Sequence, residues 1–335
     1  MSANKKSASH SLPLKISVGL IAVIVVPCIW TFFLPLQLYR LQSHPEPLWS
    51  YEQAVERIDR LKTEYDTTSH NIICGPQLLT HGNQTPHVIV LIHNYMNCPH
   101  QFSVLAQRLF ENGYNVLQVP LPRHGYREKL NHEQSWLTAE ELTSYADSLC
   151  DIAAMIGKKV VVLGVSAGGV VAAWAGHMRS DVESVLLITP LFYKKGISYP
   201  SQNLATRILL TIPNYYTWID PVLKEDGTPD HIYPRYSSRA LGQLFRLSIY
   251  IQKLSKNKAP LAKKFTIITN ANDTIADNDV THHYISQLRK HGVSVTTYEF
   301  PERMQLGSDI IDPSRTYEQI SDVYPQILKM VSRRQ

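Results

Sequence analysis

Val160-Val161-Val162-Leu163-Gly164-Val165-Ser166-Ala167-Gly168-Gly169 decides the fold of this chain. An apolar run fit for a buried strand leads into Gly-x-Ser-x-Gly, and small and β-branched residues suited to a helix follow as far as Gly176. A strand that turns sharply into a helix while lifting a serine hydroxyl above the sheet needs small residues two positions either side of that serine. A Cβ there would collide inside the turn. The spacing predicts a nucleophile elbow with Ser166 as the nucleophile. Gly-x-Ser-x-Gly also occurs by chance in loops, so the strand before and the helix after carry the specificity.

The pattern outward from the elbow alternates. Apolar runs at 88–92, 115–119, 159–163, 184–189, 265–269 and 295–300 read as strands. Between them, 102–111 reads as a helix stopped by Gly113. Thr138 and Glu141 form a capping box ahead of a helix to Ile156, and 278–290 reads as another helix. Apolar strands alternating with helices predict an α/β fold: a mostly parallel sheet with helices on both faces. Residues 190–264 are far more than one crossover helix requires and predict an inserted helical cap. Its Leu204, Ile208, Leu209, Tyr215, Tyr216 and Trp218, then Tyr233, Tyr236, Leu244, Phe245 and Ile251, suit a lid over an apolar pocket, which favours a small apolar or acyl substrate over a sugar.

In the 335-residue chain, residues 16–39 carry no charged side chain, enough for one membrane-spanning helix. Pro27 and Pro35 are tolerable in such a helix, and the run is long for a cleaved signal peptide. Lys5, Lys6 and Lys15 precede it without an acidic residue, so the positive-inside rule puts residues 1–15 in the cytoplasm and the soluble domain outside it, in the periplasm if the cell is Gram-negative. Residues 40–84 read as a linker with an amphipathic helix over 50–65, and 85–335 as the catalytic domain. Setting those three lysines aside leaves +2 of the net charge of +5, with no basic cluster interleaved with aromatics, which argues against a nucleic-acid partner. Four cysteines show no C-x-x-C and no Cys/His spacing for zinc, so neither metal nor cofactor is expected. Cys74 and Cys98 stand open between a disulfide and free thiols.

Catalysis at Ser166 needs two N–H donors aimed at the developing oxyanion. The Ala167 amide is one; the second falls in His93-Asn94-Tyr95-Met96 after the strand at 88–92, where the Tyr95 amide is the natural choice. Here the chain resembles the α/β-hydrolase superfamily, specifically the lipase, carboxylesterase and serine-aminopeptidase-like group, whose loop reads His-Gly-aromatic. The resemblance runs over about residues 85–331, and Pro122-Arg123-His124-Gly125 looks like that group's loop after the next strand. It implies acyl-bond hydrolysis, with Asp273 as the triad acid; the rivals Asp277 and Asp279 fit helix capping better. Two positions depart from the pattern. Asn94 replaces a glycine, and asparagine is the side chain that best tolerates positive φ. Ser308 occupies the position of the triad histidine when Tyr298-Glu299-Phe300-Pro301 and Asp309-Ile310-Ile311-Asp312-Pro313 are aligned on the family. A hydroxyl cannot exchange a proton near pH 7 as imidazole does. His93 and His124 follow strands on the active edge and are the possible surrogate bases, whereas His282, His283 and His291 lie elsewhere. Two functions follow: an impaired serine hydrolase, or a catalytically inactive pseudo-hydrolase that binds an apolar ligand or a partner protein.

Overall fold

The computed structural model describes residues 35–219, 228–315 and 319–332. The chain divides into two units, Met1–Leu36 and Gln37–Gln335. In the second, α1 (Tyr51–Glu64) precedes a short strand, β1 (Gln77–Leu79), and the alternation then runs β2 (Thr85–Ile92), α2 (Ser103–Glu111), β3 (Asn115–Gln118), α3 (Ala139–Ile156), β4 (Gly157–Val165), α4 (Ala167–Met178) and β5 (Val182–Ile188). After the insert come β8 (Lys264–Asn270), α7 (Asn278–Lys290), β9 (Ser294–Phe300) and α8 (Ile320–Ser332). The insert holds α5 (Gln202–Thr211), the antiparallel pair β6 (Tyr216–Trp218) and β7 (Arg235–Ser237), and α6 (Ser238–Asn257).

The seven-stranded sheet has the order β1-β3-β2-β4-β5-β8-β9 and is parallel except where β1 meets β3. This is an α/β-hydrolase fold with an inserted helical cap. The pleat sends alternate residues of β2 to opposite faces: Val88, Val90 and Ile92 join a core shared with α1, α3, α4, α6 and α7, whereas Ile89 and Leu91 join one shared with α2 and α8. Both faces are therefore covered, as parallel strands require. From β2 the chain moves outward to β3, then returns past β2 to β4, so the strand order reverses between β2 and β4. Ligands of open α/β sheets bind outside the carboxyl ends of the strands at such a reversal.

Local signals explain the elements. Ser50 caps α1 by accepting from the Gln53 amide, the Thr138/Glu141 capping box is complete at α3, and Asp277 caps α7 by accepting from Asp279 and Val280 amides. The cap's apolar residues divide. Leu244, Phe245 and Ile251 are core, whereas Leu204, Ile208 and Tyr215 face outward, so the latter do not line a pocket as their hydropathy suggests.

The expected membrane span over residues 16–39 needs correction. Among the described residues no helix is long and apolar enough to cross a membrane. Residues 16–34 lie outside the described residues. At the described end of the run, Gln37 takes a left-handed φ of 47° and Leu38–Arg40 form one 3-10 turn, so the last residues belong to the folded unit. The Arg246 guanidinium donates to the Gln37 carbonyl at 3.0 Å, and Leu41 is fully buried. Among the described residues, the single-pass placement, with a cytoplasmic N-terminus and an extracytoplasmic domain, finds no such helix to rest on.

From Gln37 to Glu46 the chain is a strap across helices α3, α4 and α6. The Trp174 indole donates to the Leu41 carbonyl at 2.9 Å, Ser43 Oγ and the His44 amide donate to Asp147 at 2.5 and 2.7 Å, and the Glu46 amide donates to Asp151 at 2.8 Å. Arg179 pairs with Asp147, Asp151 and Asp181 at 3.1, 2.6 and 2.6 Å beneath the strap.

Candidate functional site

Ser166 sits between β4 and α4 with φ 52° and ψ −111°, a conformation that L side chains rarely adopt. The turn is held from both ends: the Ser166 amide donates to the Ile188 carbonyl at 2.9 Å, and its carbonyl accepts from Leu191 at 3.0 Å. The flanking glycines are obligatory. A Cβ at Gly164 would stand 2.1 Å from the Gly168 carbonyl oxygen, and one at Gly168 would stand 2.1 Å from the Ile92 carbonyl oxygen. The second contact presses the elbow against the end of β2, which brings Ser166 beside the His93-Asn94-Tyr95 loop. Ala167 opens α4, so its N–H has no acceptor within the helix and points with the positive end of the helix dipole. Tyr95 is buried on the neighbouring loop, its ring edge-on to His124 at 5.1 Å.

Neither surrogate histidine keeps a nitrogen for Ser166. His93 is fully buried; its Nδ1 lies 2.7 Å from the Asn94 carbonyl, and its Nε2 accepts the Leu121 amide at 2.8 Å. Those partners fix a neutral ring protonated on Nδ1, and burial drives its pKa well below the usual value. His124 has its Nδ1 and Nε2 each 2.9 Å from a carbonyl oxygen, of Pro122 and Tyr95. Burial lowers its pKa against the pull of those two acceptors. The same hydrogen bonds make both rings struts between loops.

Asp273 follows β8 and is only 2% exposed. Its Oδ1 accepts the Ile275 and Ala276 amides at 2.8 and 3.0 Å, and the net effect of burial against those bonds and the nearby Ser308 hydroxyl is a raised pKa. Ser308 Oγ lies 3.4 Å from both the amide and the hydroxyl of Thr274. Asn270 Nδ2 fastens the Ser308 loop by donating to the Leu306 and Gly307 carbonyls at 3.3 and 2.8 Å. Among the described residues no histidine is bonded to Asp273. His282 and His283 lie on α7, and His291 caps its end.

Asn94 survives in the glycine position for a reason other than its tolerance of positive φ, since its φ is not positive. Its side chain accepts from the Met96 amide at 2.9 Å and donates to Asp309 at 2.8 Å. This opens a buried network absent from the sequence reading. Gln101 Nε2 donates to both oxygens of Asp309 at 2.9 Å, Asn97 Nδ2 donates to Asp312 at 2.7 Å, and His231 of the cap reaches Asp312 at 3.0 Å. Burial raises the pKa of Asp309, the nearby Asp312 adding to it. Burial also opposes ionisation of Asp312, but His231, the Ser314 amide and Asn97 hold its carboxyl well below the usual range. The only advance signal was the polar run Asn94, Asn97, Gln101 inside an otherwise buried loop. The Cys74–Cys98 disulfide is formed, with Cα atoms 5.3 Å apart, and ties that loop to the segment before β1.

A family model described as "Serine aminopeptidase, S33" matches residues 83–300, more than half of the chain, and the chain belongs to that family. No curated protein matches. Among solved structures, the chain is similar to a Paleococcus ferrophilus monoacylglycerol lipase, with a TM-score of 0.58 and 17% identity over 78% of this chain and 99% of that one. A structure from a study of LipS and LipT, two metagenome-derived lipolytic enzymes, gives 0.56 and 14% over 78% and 98%. The α/β hydrolase GrgF from Penicillium sp. sh18 gives 0.54 and 14% over 77% and 93%. At these identities the likeness is one of fold.

Proposed function

We propose that this chain is a serine hydrolase of acyl esters or related acyl bonds, with Ser166 as nucleophile, Asp273 as the acid, and the Tyr95 and Ala167 amides as oxyanion donors. The observation that carries this reading is the strained Ser166 at the head of α4, over the crevice where the strand order reverses. An acyl substrate is supported by the lipolytic enzymes among the similar structures and by the apolar Tyr95, Met96 and Leu191 around the elbow. Turnover is impaired because Ser308 supplies no proton acceptor, and loss of a triad histidine costs on the order of a million-fold. One observation favours a second reading, a binding protein without turnover: both nitrogens of His93 and of His124 are engaged by backbone.

Labelling with an alkyl fluorophosphonate, read by intact mass, separates the two. A hydrolase labels slowly at Ser166, not at all in Ser166→Ala, and faster in Ser308→His. Retention of a long-chain alkyl ligand with no labelling of either wild type or folded Ser308→His supports the binding protein and sinks the hydrolase.

A further inference from the structure

Ser166, Asp273 and Ser308 stand on loops at one end of the sheet, and the segment after β5 is bonded to both sides of the group. Leu191 N–H donates to the Ser166 carbonyl at 3.0 Å, and Lys195 N–H donates to the Ile275 carbonyl at 2.9 Å. Oδ1 of Asp273 is occupied by two amides, the Lys195 ammonium donates to the Asp273 carbonyl at 3.2 Å, and the small hydroxyl of Ser308 lies beside the carboxylate, next to Gly307 with no side chain of its own. His93 and His124 are fixed as struts. The topology therefore sets Ser166, the Ala167 amide and the Asp273 carboxylate on loops at the same end of the sheet, and among the described residues no histidine is bonded to Asp273.

Resting on the reading of Ser166 as nucleophile, we propose that the substrate supplies the base. The preferred substrates are acyl esters carrying an imidazole, or another weak nitrogen base titrating near neutrality, a few bonds from the scissile carbonyl and seated beside Ser308 between Asp273 and Ser166. The Ser166 Oγ–C bond forms as the hydroxyl proton passes to the substrate nitrogen. The resulting cation, held by Asp273, returns that proton to the alcohol oxygen as the C–O bond breaks. Where the base lies on the acyl side it remains on the acyl-enzyme, takes a proton from the attacking water and returns it to Ser166 Oγ, so turnover continues. Where it lies on the alcohol it departs, and the acyl-enzyme accumulates.

The p-nitrophenyl esters of imidazolylpropanoic and phenylpropanoic acid test this, with self-hydrolysis measured in Ser166→Ala and subtracted. The imidazole ester is expected to exceed its partner in kcat/KM by at least about a hundred-fold. That preference should collapse in Asp273→Asn. It should also approach parity in Ser308→His, which brings its own imidazole and fills the seat. An ester with the imidazole in its alcohol should give one acyl group per chain and then stall, with the adduct on Ser166 by mass spectrometry. Equal Ser166-dependent rates for the two propanoate esters, with Ser308→His still labelled by fluorophosphonate, overturn the substrate-borne base and leave the nucleophile standing. No Ser166-dependent turnover of either ester and no labelling of folded Ser308→His overturn both.

Discussion

Asn94 Nδ2 donates to Asp309 Oδ2 at 2.8 Å, joining two loops 215 residues apart. One end lies beside the Tyr95 amide and the other is the neighbour of Ser308. Asp309→Ala strands the buried amides of Asn94 and Gln101, and a lost acceptor of this kind costs about 1–3 kcal/mol. Urea denaturation should show Asp309→Ala to be the more damaging change, with Asn94→Gly milder because Gln101 still holds Asp309. Equal losses would remove the network from its place as a joint between the loops.

The two carboxylates with opposite shifts should leave opposite marks on the pH profile of stability. Asp312 has a depressed folded pKa, so its contribution is present above the ordinary carboxylate range and is lost as pH falls toward the folded value. Asp273 has a raised folded pKa, so its ionised form costs stability above that range. Melting temperatures from pH 7 to pH 3 should show Asp312→Asn below wild type at pH 7 with the gap closing on acidification. Asp273→Asn should lie at or above wild type at pH 7, with its gap closing the same way.

Ser308→His should raise short-chain ester turnover by at least about a hundred-fold, because an imidazole there lies beside the carboxylate that orients it. The gain must disappear with Ser166→Ala and fall sharply with Asp273→Asn. A folded Ser308→His protein with unchanged turnover would show that Ser308 is not the equivalent position.

Opening the Cys74–Cys98 disulfide releases a constraint across 24 residues, for which chain entropy assigns about 3 kcal/mol. The double serine variant should melt several degrees lower. The loop carrying Tyr95 should also exchange its amide hydrogens faster than the β4 strand does; protection unchanged in that loop would mean the network to Asp309 holds it alone.

Arg179 pairs with Asp147, Asp151 and Asp181, its own side chain and those of Asp147 and Asp151 each 6% exposed and that of Asp181 27%. Arg179→Met leaves buried carboxylates uncompensated and should cost about 3–5 kcal/mol in denaturant titration. A loss below about 1 kcal/mol would show that the cluster is better hydrated than its burial indicates.

The central strands were legible because β2, β4 and β5 each carry an apolar run of strand length, and the elbow was legible because Gly164 is required by contacts within the turn itself, whereas the Gly168 contact, with the end of β2, is long-range. The helix over Asn278–Lys290 was legible through its cap and periodicity. β1 was not, since three half-buried residues carry no period, and neither were the β6–β7 pair or the Asp309 and Asp312 network, whose partners come from loops far apart in sequence. The reading of residues 16–39 was overturned at its described end for another reason. Hydropathy scores an apolar residue identically whether it meets lipid or a protein core, and Leu38 packs against the core.

The strap from Gln37 to Glu46 is gripped chiefly by its main chain. Gln37 and Leu41 offer carbonyl oxygens, and His44 and Glu46 offer amides. Every residue except proline supplies both groups, so this segment is specified by its path more than by its letters: substitutions at 44 and 46 should pass unnoticed, proline at either should not, and a one-residue deletion would shift every grip at once.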